Sequence, residues 1–118
     1  MEQTEIILRA IGVLTETNAM ARRIALDESA DFDPGENQLG ALVTEVFPSV
    51  EVPADAGPAE AGQAVADAYL PATISLVGAF AFIFSELAEL HDSGRSDIST
   101  ADLLQTLALR MSRAGGNS

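Results

Sequence analysis

The chain has one histidine, His91, and no cysteine. Nucleophilic catalysis through His91 would need an orienting carboxylate and a hydroxyl nucleophile beside it. Asp92 and Ser93 follow it directly but match no nucleophile pattern. A histidine in the last turn of an apolar helix is well placed against the helix dipole and solvent. The glutamate pairs Glu2/Glu5 and Glu86/Glu89 each lie one helical turn apart. Di-iron bundles combine such pairs with Glu-x-x-His on facing helices, and that motif does not occur here.

Calcium chemistry fares no better. With Ile98 as the hydrophobic eighth position, a calcium loop would place His91 first, Ser96 sixth and Asp102 last. A working loop needs an acid, a glycine and a bidentate glutamate there. Asp31-x-Asp33-x-x-Glu36 is rich in oxygen but lacks the ligand spacing. Absence of cysteine removes thiolate ligands and disulfides, and no phosphate-cradling glycine loop appears. The expectation is a protein that is not an enzyme, with no catalytic residue, no metal site and no cofactor.

The charge pattern speaks to partners instead. All basic side chains are arginines: Arg9, Arg22, Arg23, Arg95, Arg110 and Arg113. Between Arg23 and Arg95 lie 71 residues with thirteen carboxylates and no base, which concentrates the net charge of −12 there. Unneutralised carboxylates repel one another and attract basic surfaces. Asp27, Glu28, Asp31, Asp33 and Glu36 form the densest group and are the candidate partner-binding residues. Six dispersed arginines give no footprint for phosphates, so direct nucleic-acid binding is not expected. Lack of lysine also fits arginine-favouring codon usage or a halophilic source.

The elements that carry these residues read as helices. Ile7, Ile11, Leu14, Ala21 and Ala25, with Ile6, Val13, Met20 and Ile24 beside them, follow helical spacing from Gln3 to Glu28 across Gly12. Asn18 interrupts the first stripe, as a register-fixing polar residue in a seam or as a residue at its rim. Asp33, Pro34 and Glu36 form a helix-start signal for a helix through Leu39, Leu42, Val43, Val46 and Phe47 to Pro48. Residues 48–58 read as an exposed connection. Pro58 opens a helix with Val65, Tyr69 and Leu70 on its buried side, and Pro71 should kink or break it. Ser99 and Asp102 form a capping box for the last helix, with Ile98 stapling onto Leu103. Leu103, Leu104, Leu107 and Met111 supply its core face.

Ala68 to Ser85 carries no charge, which approaches the roughly 20 apolar residues of a membrane span. Its flanks are Asp67, Glu86 and Glu89, without the basic residues that usually border a span. No span is expected. Ile74, Val77, Ala81 and Phe84, with Leu76, Phe80, Ile83 and Leu87, make the helix apolar nearly all round, which predicts a place at the centre of a bundle.

The predicted fold is all-α, a compact bundle of four to five helices with a Pro-kinked or broken apolar central helix. Residues 1–113 would form one helical domain and residues 114–118 a disordered tail. At 118 residues and 47% apolar content, the chain is a folded protein with an acidic skin. Without a basic n-region its start predicts a cytoplasmic location. Function is expected in a non-enzymatic interaction, adaptor or regulatory protein, in the manner of a chaperone or DNA mimic. Its partner would be a basic protein, and the two stripes of the first helix predict a homodimer. The alternative is an apolar small molecule held among Met20, Tyr69, Phe80, Phe82 and Phe84.

Overall fold

The computed structural model describes residues 1–26 and 38–116. They form four helices, α1 (Gln3–Leu26), α2 (Gln38–Val46), α3 (Pro58–Asp92) and α4 (Thr100–Gly116), and no strand occurs among the described residues. The all-α class therefore holds. The start signal at Asp33, Pro34 and Glu36 lies outside the described residues. Helix α4 continues to Gly116, into the stretch read as tail.

Helix α1 is the hub. It packs against α2, α3 and α4, which touch one another far less. Ile6, Ala10, Ile11 and Val13 of α1 meet Leu42 of α2, Ala79 and Ile83 of α3, and Leu104 and Leu107 of α4 in one core. The first half of α1 is thus buried, whereas Ala21 to Leu26 are exposed and Asn18 is half-buried at the boundary. Polar contacts set the directions. Arg9 is hydrogen-bonded to Glu45, and the Gln38 backbone N–H donates to Glu16 Oε1 at 3.2 Å, so α2 runs antiparallel to α1. That carboxylate serves the N–H of the first described residue of α2.

The central position predicted for the apolar helix falls to α1 instead. Within α3 only Ala79 and Ile83 are buried. Val65, Tyr69 and Leu70, expected on the buried side, are 38%, 40% and 61% exposed. The cause is length. At 1.5 Å per residue α3 extends about 52 Å, and Gln3 Nε2 at the start of α1 donates to the Ser75 carbonyl at 3.0 Å. The first half of α3 therefore runs past the end of its main neighbour. There Tyr69 meets Phe47 edge-on, with ring centroids 5.2 Å apart.

Pro71 does not separate two helices, since α3 is continuous from Pro58 to Asp92. Proline removes the bond to the carbonyl four residues back, here that of Asp67. Both residues are exposed, so water can satisfy the freed oxygen and the helix persists.

The chain ends its helices by local rules. Gly94 takes φ +74° just after α3 and donates its N–H to the His91 carbonyl at 3.1 Å. Glycine adopts this left-handed geometry without the usual strain. Asp102 donates its N–H to Ser99 Oγ at 3.0 Å, and the Ser99 N–H returns to Asp102 Oδ2 at 3.2 Å, the expected capping box. Arg110 then bonds Glu86 at 2.9 Å across the antiparallel α3–α4 pair. The whole is more extended than a compact bundle. Its radius of gyration is 17.8 Å, against about 13.5 Å for a compact domain of this length.

Candidate interaction surface

The residues with chemical potential do not converge. His91 is exposed at the end of α3 and borders a shallow cavity with Leu87, Leu90, Arg95, Ile98 and Thr100. Ser93 Oγ donates to the Leu90 carbonyl at 2.7 Å, which occupies the hydroxyl nearest His91 in sequence. Glu86 is held by Arg110, while Glu89 is exposed. Among the described residues no three His, Asp or Glu side chains gather where a metal ion could sit. Arg95 bonds Asp97 at 2.9 Å and holds its carboxyl below the usual carboxylate range. The same contact raises the Arg95 guanidinium, and Glu45 likewise raises that of Arg9.

Asp27, Glu28, Asp31, Asp33 and Glu36 lie outside the described residues. Eight described carboxylates remain between Gln38 and Asp92: Glu45, Glu51, Asp55, Glu60, Asp67, Glu86, Glu89 and Asp92. Only Glu45 and Glu86 are ion-paired, with arginines reaching over from α1 and α4. Among the described residues the acidic middle is therefore barely neutralised from within.

The candidate pocket residues are spread over the molecule. Tyr69 lies against Phe47 near the end of α2. Phe80 and Phe82 pack on the edges of the core, and Phe84 is 70% exposed. At 100° per residue Phe82 points roughly opposite to Phe80 and Phe84. Met20 is half-buried on α1, its sulfur 3.6 Å from Arg23 Nη2. A larger cavity, about 700 Å³, opens elsewhere, between α1 and α4 beside Gln38. Ile11, Gly12, Ala19, Ala101, Leu104 and Ala108 give it apolar walls. Gly12 makes room for Gln38, because a Cβ at Gly12 would stand 2.4 Å from Gln38 Oε1.

The outward side of α3 is the most distinctive surface, and its place was missed by the sequence reading. Leu70, Ile74, Val77, Ala81 and Phe84 follow at steps of four and three, the spacing of a helix seam. They are exposed, with Leu70, Ile74 and Val77 at 61–63%. The side with Leu76, Ala79 and Ile83 faces the core, and Phe80 lies between the two faces, partly buried. By length and composition α3 could also cross a membrane, its most apolar eighteen residues having a mean hydropathy of 1.7.

No family model, curated protein or solved structure matches this chain.

Proposed function

We propose that this is a non-enzymatic helical interaction protein, an adaptor or regulator whose acidic surface receives a basic partner protein. The observation that carries the reading is the imbalance on the described surface. Six of the eight carboxylates between Gln38 and Asp92 have no arginine partner, and the five acids at 27–36 add to the same stretch. A field of one sign steers an oppositely charged surface toward it and weakens as salt screens it. Affinity purification at about 0.1 M and about 1 M salt spans Debye lengths from about 10 to about 3 Å. A basic partner held at the lower salt and released at the higher one supports the proposal. The same partners at both would refute it.

A second reading rests on the cavity between α1 and α4. Its volume of about 700 Å³ and mostly apolar walls match the sites that take small apolar molecules. A ligand bound there would raise the melting temperature in a thermal-shift series with lipids and aromatic compounds. No shift with any member of the series rejects this reading.

A further inference from the structure

The exposed side of α3 combines features that few soluble surfaces share. Leu70, Ile74, Val77 and Phe84 are each more than 60% exposed, and with Ala81 they form a ridge about 21 Å long. No charge lies within Ala68–Ser85. The rest of the chain carries the −12, so two copies approaching at random repel one another. Along this ridge they meet apolar surface without opposing carboxylates. Burial of such a ridge is favourable in proportion to the apolar area removed from water.

We propose that a second copy of this chain docks on the outward ridge of α3, the two α3 helices running antiparallel. The proposal rests on the reading of the chain as an interaction protein and adds a self-pairing surface to it.

The area argues for such a partner. The chain exposes 7985 Å², against about 6100 Å² for a compact monomer of 12.3 kDa. Part of that excess, about 1900 Å² over the whole chain, is the ridge of α3, whose four large apolar side chains are 61–70% exposed. The geometry argues for the direction. A parallel pair in register would set Asp67, which continues the ridge by one step, against Asp67 of the second copy. An antiparallel pair sets Asp67 opposite Leu87 instead, at an end where Glu86 is already paired with Arg110, and opposes the two helix dipoles favourably. Val77, at the middle of the ridge, then lies near the two-fold axis, and the interface is self-complementary as such symmetry requires.

The lipid surface is the weaker occupant. Helices that lie on or cross membranes are bordered by Lys or Arg, and the flanks of this ridge are Asp67, Glu86 and Glu89. An anionic bilayer would repel the remainder of the chain.

Light scattering on the purified chain tests the pairing. The expected mass is twice the 12.3 kDa of one chain. Val77→Glu should restore the single-chain mass with an unchanged helical circular dichroism spectrum, because Val77 is 61% exposed within one chain. Like charges forced together at the axis should raise the dissociation constant more than about 100-fold. The chain lacks cysteine, so Val77→Cys offers an independent measurement that needs no charge in the ridge. It should oxidise to a covalent dimer, whereas Leu70→Cys, far from the axis in an antiparallel pair, should not. Three outcomes overturn the proposal: a wild-type chain of single mass at near-millimolar concentration, no covalent dimer from Val77→Cys, or co-flotation with phosphatidylcholine vesicles. The acidic surface is tested separately, since monomeric Val77→Glu retains every carboxylate. Salt-sensitive capture of a basic partner by a monomeric wild type would sink the pairing alone. Loss of salt sensitivity with an intact dimer would sink only the acidic-surface reading.

Discussion

Ile83 and Ile74 are the same side chain nine positions apart on one helix, 0% and 63% exposed respectively. Truncating each to alanine measures what α3 does on its two sides. Ile83 sits at the junction with α1 and α4, so Ile83→Ala removes buried carbons and leaves a cavity, at a cost of about 2–5 kcal/mol. That is a large share of the roughly 5–15 kcal/mol a domain possesses. In dilute solution Ile74→Ala should stay within about 0.5 kcal/mol of wild type, as surface substitutions do, with alanine's better helix propensity offsetting lost contacts. Protein concentration then separates surface from interface. If native chains pair, a hundredfold rise in concentration stabilises the wild type by about 2.7 kcal/mol per dimer, and Ile74→Ala should lose much of that gain. Urea unfolding followed by circular dichroism at two concentrations a hundredfold apart gives all the required midpoints. Equal losses for Ile74→Ala and Ile83→Ala at the lower concentration would refute the assignment of the two faces. A wild-type midpoint independent of concentration would refute the pairing.

The ends of the helices give smaller effects with defined signs. Ser99→Ala should destabilise by about 1 kcal/mol, measured by thermal or urea unfolding, because the Asp102 N–H loses its acceptor. Gly94→Ala should cost about 1–2 kcal/mol, since the backbone there is left-handed. Gly62→Ala, inside α3 with open space around it, should instead stabilise by roughly 0.8–1 kcal/mol. By NMR titration the Asp97 carboxyl should protonate below the usual value of about 3.9, and Arg95→Gln should bring it back up. Because that pKa is depressed in the folded chain, the contact's contribution is present above the unfolded value. It is lost as pH falls through the folded one.

The local structure was legible where a few neighbouring residues decide it. Ser99, Asp102 and Ile98 announce the start of α4, Pro58 announces α3, and the spacing of Ile6, Ile11 and Val13 already places one face of α1 in a core. Periodicity stops short of saying what lies opposite a face. Leu70, Ile74, Val77, Ala81 and Phe84 read as buried because apolar residues tend inward, yet that rule runs one way only. Leu70 and Ile74 are exposed because α3 runs past the start of α1, and Val77, Ala81 and Phe84 because they face away from it, which is a property of two segments together. The four-three spacing along that ridge was the available signal that α3 has a seam of its own. The separation of Phe82 from Phe80 and Phe84 was countable from sequence, as the half-turn between them. The contact of Glu16 with the first N–H of α2 joins residues 22 apart, and no short-range pattern signals it.

The hub position of α1 bears on how the chain is made. Helices α2, α3 and α4 all lean on α1 and little on one another, so the first of the four to leave the ribosome is the one every other needs. Leu104 and Leu107 cover the α1 stripe from nearly a hundred residues away. At about 5–20 residues per second, Ile6, Ile11 and Val13 wait roughly 5–20 s for that cover. For an all-helical protein this is a long-range closure, of the kind that slows folding in β-rich domains. Nascent α1 is therefore the segment in which a chaperone would find an apolar helix with nothing yet to hold.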